Sequence, residues 1–259
     1  MADGSNISHR PAFISDIPEP IEETPDPLAA SPAVPTLRTF YLPGPEGRLE
    51  ALLNEGHPDA PFVTLLCHPH PLGGGTMHNK VVYHAAKVFS SLGWPVLRFN
   101  FRGTGLSEGS HHGRDEVNDV RTGLDWLAEQ YAKPIVAAGF SFGAATGLEA
   151  ASSFSNIAGF AALGLPTLAE GRQYSYPFLP GCTFPKLFLS GDRDQYSPLD
   201  HLRPVVESAP APSEFVLIQS ADHFFTGHLS DMQQALRSWL HRTYAHREEP
   251  FPQSESHTS

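Results

Sequence analysis

A mostly parallel α/β sheet with helices on both faces is the fold this sequence predicts, and three observations predict it. From about Leu37 onward, short apolar runs alternate with stretches of helical periodicity, the pattern left by strand-helix-strand units whose strands are buried on both sides. The 259 residues suffice for one large, well-buried domain without a second. One apolar run, Pro134 to Ala138, leads directly into Gly139-Phe140-Ser141-Phe142-Gly143 and then into the small-residue helical pattern of Ala144, Ala145, Leu148 and Ala151. That is strand, sharp turn and helix with a serine at the apex.

The first two strands, Leu37 to Tyr41 and Arg48 to Asn54, flank the turn-rich Pro43-Gly44-Pro45-Glu46-Gly47, a linker short enough for an antiparallel hairpin. The remaining strands read as parallel. Phe62 to Cys67 is a buried strand, and after a Gly-rich loop a helix places Val81, Val82, Ala85, Val88 and Phe89 on one face until Gly93 and Pro95 end it. Val96 to Phe101 is the next strand. A helix from about Glu116 to Tyr131 follows, with Val117, Val120, Leu124 and Leu127 in one stripe. The strand that delivers Ser141 comes next, and later strands run from Ala158 to Leu163, Lys186 to Ser190 and Phe215 to Gln219. This makes eight strands in all, closed by a last helix with Met232, Leu236, Trp239 and Leu240 on its inner face. The aromatic-rich insertion Thr167 to Pro185 is too short for a large cap domain, but long enough to wall one side of a pocket.

Residues 1–35 carry six carboxylates against the single Arg10, interleaved with seven prolines, and bury too little apolar area to offset their ordering entropy. They read as a disordered acidic extension, and 246–259 as a disordered polar tail, which leaves 36–245 as the folded domain. About half of the net charge of -11 belongs to the extension. The balance, with no basic stripe, argues against a nucleic-acid partner. Neither a signal-peptide pattern nor a run of roughly 18 apolar residues is present, so a cytoplasmic address without a membrane span is expected. The two cysteines, Cys67 and Cys182, form neither a disulfide framework nor a C-x-x-C site and read as bystanders.

A turn of the G-x-S-x-G kind crowds its backbone, and glycines on either side of Ser141 remove Cβ atoms that would clash with strand and helix. A serine hydroxyl is a weak nucleophile unless a base takes its proton and a third group orients that base. Both partners are present after strands, in the order Ser, Asp, His. Asp194 is the acid read from Gly191-Asp192-Arg193-Asp194, because three residues past the glycine suits a side chain that must turn back; Asp192 is assigned to stabilising the turn. His223 is the base, since it alone among the histidines lies just past the last strand and before the last helix, and Asp222 supports its loop.

Acyl transfer also needs two backbone N–H donors for the developing oxyanion. Phe142 supplies one at the start of its helix. In the His68-Pro69-His70-Pro71 loop the prolines have no N–H, and His70, two residues past the strand, is the second. His68, His70 and His78 lack the carboxylate or cysteine company of a metal site, and their imidazoles are expected to brace the oxyanion loop; no metal or cofactor is implied. His111-His112 reads as an exposed turn. Arg102-Gly103-Thr104-Gly105-Leu106-Ser107-Glu108-Gly109 matches neither the dinucleotide nor the phosphate-loop spacing, and reads as a tight structural turn bordering the site.

Taken together, Cys67 to Leu72, Gly74 to Val82, Arg98 to Gly103, Gly139 to Ala144, Gly191 to Asp194 and Ala221 to Phe225 resemble the small, capless α/β-hydrolase family of predicted bacterial hydrolases that share an H-P-H-P oxyanion loop. The resemblance spans about Leu37 to Tyr244. It implies the α/β-hydrolase fold, with Ser141 as nucleophile, Asp194 as acid and His223 as base. Gly73 stands where this family often has an aromatic residue, and the acidic extension is no part of the shared fold. Members are similar to carboxylesterases acting on small acyl esters, and more weakly to dienelactone hydrolases and serine aminopeptidases. The expected activity is therefore ester hydrolysis through an acyl-enzyme. Amide or peptide cleavage by the same triad is one alternative, and a non-catalytic binding module with the extension as an interaction tail is the other. Oligomeric state is not legible in the sequence.

Overall fold

The structure, a computed structural model, describes residues 36–169 and 172–245; the expected extension and tail lie outside them. The described residues form ten strands: β1 (Leu37–Gly44), β2 (Gly47–Asn54), β3 (Val63–Cys67), β4 (Val96–Phe99), β5 (Ile135–Phe140), β6 (Ile157–Leu163), β7 (Leu168–Ala169), β8 (Arg172–Gln173), β9 (Lys186–Gly191) and β10 (Ser213–Ile218). Five α-helices accompany them: α1 (Lys80–Ser91), α2 (Val117–Tyr131), α3 (Phe142–Ser152), α4 (Leu199–Glu207) and α5 (Leu229–Tyr244). Eight strands form one sheet in the order β1-β2-β4-β3-β5-β6-β9-β10. β2 runs antiparallel to both β1 and β4, and every later pairing is parallel.

The strands β3, β4, β5 and β9 are buried at every position, which explains why they read as continuous apolar runs. Alternation then sorts their side chains between two cores. Val136, Ala138 and Phe140 of β5 join Val82, Phe89, Leu236 and Trp239 under α1 and α5. Ile135 and Ala137 join Leu124, Leu148 and Leu202 under α2, α3 and α4. With both faces covered, the carboxyl edge of the central strands is left for loops. β5 sits in the middle and ends at Phe140, one residue before Ser141.

Two features depart from the sequence reading. The sequence pattern does not mark α4, which has only nine residues, buries only Leu202 and carries Pro204 in its interior, all of which blunt a helical signal. The insertion after β6 contains the two-residue hairpin β7-β8 and a 3₁₀ turn at Leu179–Gly181. No helix among the described residues is long and apolar enough to cross a membrane.

Candidate active site

Ser141 sits at the hinge between β5 and α3 with φ 55 and ψ -120, a left-handed conformation that costs a non-glycine residue energy and is held by its surroundings. The glycines beside it are required sterically. A Cβ on Gly139 would lie 2.2 Å from the Gly143 carbonyl oxygen, and one on Gly143 would lie 2.4 Å from the His68 carbonyl oxygen. The chain can thus fold α3 back onto β5 and β3 only with bare backbone at both positions. The Ser141 N–H donates to the Leu163 carbonyl at 2.9 Å, which ties the apex to β6.

Asp194 and His223 come to this apex from the ends of β9 and β10. Ser141 Oγ lies 2.9 Å from His223 Nε2, and His223 Nδ1 lies 2.8 Å from Asp194 Oδ2. The other carboxylate oxygen, Asp194 Oδ1, accepts the N–H groups of Tyr196 at 2.8 Å and Ser197 at 3.1 Å. The buried carboxylate is therefore satisfied and fixed in rotation. It holds the proton of His223 on Nδ1, leaving Nε2 to accept from the serine hydroxyl. The His223 ring is packed between aromatic neighbours, with Tyr196 at 4.6 Å and Phe140 at 5.0 Å between ring centres. Asp222 Oδ1 accepts from the N–H groups of Phe224 and Thr226, the loop support expected of it. Asp192 holds the turn through its backbone, its N–H donating to the Ile218 carbonyl beside the bond from Arg193 to Ala221, while its side-chain Oδ1 is buried with no hydrogen-bond partner.

The loop after β3 is locked by its own backbone, with the N–H groups of Gly73 and Gly75 both donating to the His70 carbonyl. His68, fully buried, accepts the Phe101 N–H on Nε2 at 3.0 Å and so donates from Nδ1 to the Pro69 carbonyl at 2.7 Å. Both ring nitrogens are engaged with backbone, which is bracing and not ligation. Burial pushes its pKa down to about 3, so the ring is neutral in the fold while the unfolded chain, near 6.5, still binds a proton. Stability is thus complete above pH 6.5 and drains as pH falls toward 3. Between pH 7.5 and 5 the cost from this group is about 2 kcal/mol. His68→Gln, however much it destabilises the fold, should lose about 2 kcal/mol less than the parent over that interval in denaturant titrations; equal losses would contradict the assignment.

His70 and Phe142, expected to provide the oxyanion N–H groups, are in mutual contact, with ring centres 5.0 Å apart. His70 lines the same cleft as Ser141 and His223. That cleft has a volume of about 490 Å³ and is walled by Leu72, Pro166, Leu168, Tyr174 and Phe224, of which Leu168 and Tyr174 belong to the insertion. The Arg102 to Gly109 turn is structural as expected: Gly103 N–H bonds the Glu108 carbonyl, and Arg102 is buried against Asp119 and Glu46. His111 overturns the exposed-turn reading. Its side chain is 6% exposed and packs edge-on against His70 and Phe142, whereas His112 is half exposed.

The profile of the alpha/beta hydrolase domain family matches residues 63–246. The chain belongs to that family. This hydrolase is similar to XC6422 from Xanthomonas campestris, described as an a/b serine hydrolase without lid, at 32% identity over 82% of this chain and 97% of that one, with a TM-score of 0.72. It is also similar to an alpha-beta serine hydrolase homologue from Coxiella burnetii, at 34% identity, 78% and 96% coverage and a TM-score of 0.69. The protein RP471 of Rickettsia prowazekii is 35% identical over 78% of this chain and 87% of its own length. The lidless architecture agrees with an insertion that forms one wall of the cleft and no separate cap.

Proposed function

We propose that this hydrolase cleaves carboxylic esters of small, apolar acyl groups through an acyl-enzyme on Ser141. The observation that carries the reading is the unbroken hydrogen-bond series from Ser141 Oγ through His223 to Asp194. Ser141 Oγ attacks the ester carbonyl carbon as its proton passes to His223 Nε2, and the carbonyl π electrons move onto oxygen. The N–H groups of His70 and Phe142 receive that oxyanion. Collapse of the intermediate breaks the bond to the alkoxy oxygen, which takes the proton from His223 and departs as the alcohol. Water then repeats the attack with His223 as base and releases the acid. Asp194 stays ionised throughout and supports the imidazolium.

The amide alternative needs an anion to hold the ammonium of a substrate's amino end. None of the described residues lining the cleft is Asp or Glu, and Glu108 is engaged by Arg48. Apolar walls favour an uncharged acyl chain instead. A p-nitrophenyl ester series of increasing acyl length, set against an aminoacyl p-nitroanilide, tests this. The expected result is ester turnover that rises with chain length until the cleft is filled, with the anilide at least about 10²-fold slower in kcat/KM. Faster cleavage of the anilide would favour the peptidase reading.

A further inference from the structure

A second run of polar side chains reaches the oxyanion loop without involving His223. Glu116, just before α2, is fully buried. Its Oε1 accepts the N–H groups of His112 at 2.7 Å and Gly113 at 3.1 Å, and although burial works against the charge, these donors and His111 hold the carboxyl below its usual range. His111 Nδ1 lies 2.8 Å from the same oxygen, a contact at ion-pair distance and not a hydrogen bond. His111 Nε2 lies 3.4 Å from His70 Nε2, and His70 Nδ1 accepts the Leu72 N–H at 3.2 Å.

Proton bookkeeping then fixes both rings. A nitrogen that accepts a backbone N–H carries no proton, so neutral His70 has its proton on Nε2. That proton faces His111 Nε2, which must accept it, and the proton of His111 is left on Nδ1, toward the Glu116 carboxylate. This arrangement of the neutral pair agrees with the Leu72 N–H bond to His70 Nδ1 and the contact between the two Nε2 atoms. The same His111 ring packs against His70 and Phe142, with centres 4.6 and 5.5 Å away. One imidazole therefore touches both residues to which the oxyanion N–H groups are assigned.

We propose that His111, oriented by Glu116, is a positioning residue that holds the His70 loop and the start of α3 in register for oxyanion binding. The inference rests on the ester-hydrolysis reading for its kinetic consequence, but not for its proton arrangement. Oxyanion donors act on charge that develops after binding, so their displacement lowers kcat and spares KM. Complete loss of a donor costs about 10² to 10³-fold, and displacement alone less.

Two measurements on the full chain test it. Long-range ¹H–¹⁵N correlation spectra of the wild type should show His70 as the Nε2–H tautomer and His111 as the Nδ1–H tautomer; the opposite tautomer at either ring overturns the proposal. His111→Phe, which keeps a ring against Phe142, should lower kcat by roughly 10 to 100-fold on a short p-nitrophenyl ester with KM within about threefold. Glu116→Gln should lower kcat less, and the double variant should be no slower than His111→Phe, since the two act in one series. A wild-type kcat in His111→Phe, or penalties that multiply, overturns the role. Should His111→Phe fail to fold, Glu116→Gln and the tautomers decide. A wild type with both tautomers as stated but no ester turnover counts against the hydrolytic reading, whereas an active wild type matched by His111→Phe counts against His111 alone.

Discussion

Ser141→Ala lowers kcat on a short p-nitrophenyl ester by roughly 10⁴-fold or more, while far-ultraviolet circular dichroism and the thermal midpoint stay close to wild type. The size follows from the division of labour at the site: without Oγ there is no atom to form the acyl bond, and the residual rate is what oxyanion donors and binding supply to water attack. Stability is spared because alanine accepts the positive φ of position 141 about as poorly as serine does, so the strain is unchanged. A variant with activity within tenfold of wild type would place the nucleophile elsewhere.

Asp194→Asn comes close to it in magnitude, through a different cause. Tyr196 and Ser197 donate to Oδ1, and only an oxygen can occupy that position, so the new amide nitrogen must take the place of Oδ2. It then donates to His223 Nδ1. The ring proton moves to Nε2 and faces Ser141 Oγ as a donor, where the wild type has an acceptor 2.9 Å away. With the tautomer reversed, His223 is no base, and kcat should fall by roughly 10⁴-fold with KM little changed. A loss of less than about tenfold would show that Asp194 does not set the tautomer.

What the sequence disclosed and what it hid have physical reasons. Strands such as β3 and β5 are buried on both faces, so their composition alone marks them. Ser141 is marked by glycines that the turn cannot do without, and Asp194 and His223 by their places just past strands. α4 is hidden because nine residues interrupted by a proline and burying one side chain are too short a run to read as a helix. His111 escaped for a deeper reason. Flanked by Ser110, His112 and Gly113, it has the local chemistry of a surface turn, and its burial is created by His70, 41 positions away, and by Phe142. Local composition carries no trace of such a convergence. The insertion is legible as one wall of the cleft, but that Leu72 and Phe224 join its Leu168 there is hidden likewise, since they meet only in the fold.

The central claim is that one hydroxyl, made nucleophilic by the imidazole beside it, forms a covalent bond to the electrophile. Treatment with a fluorophosphonate followed by peptide mass spectrometry reads that bond directly. The account predicts a single adduct on Ser141, lost in Ser141→Ala and strongly slowed in Asp194→Asn; an unlabelled wild type, or an adduct on another residue, would contradict it.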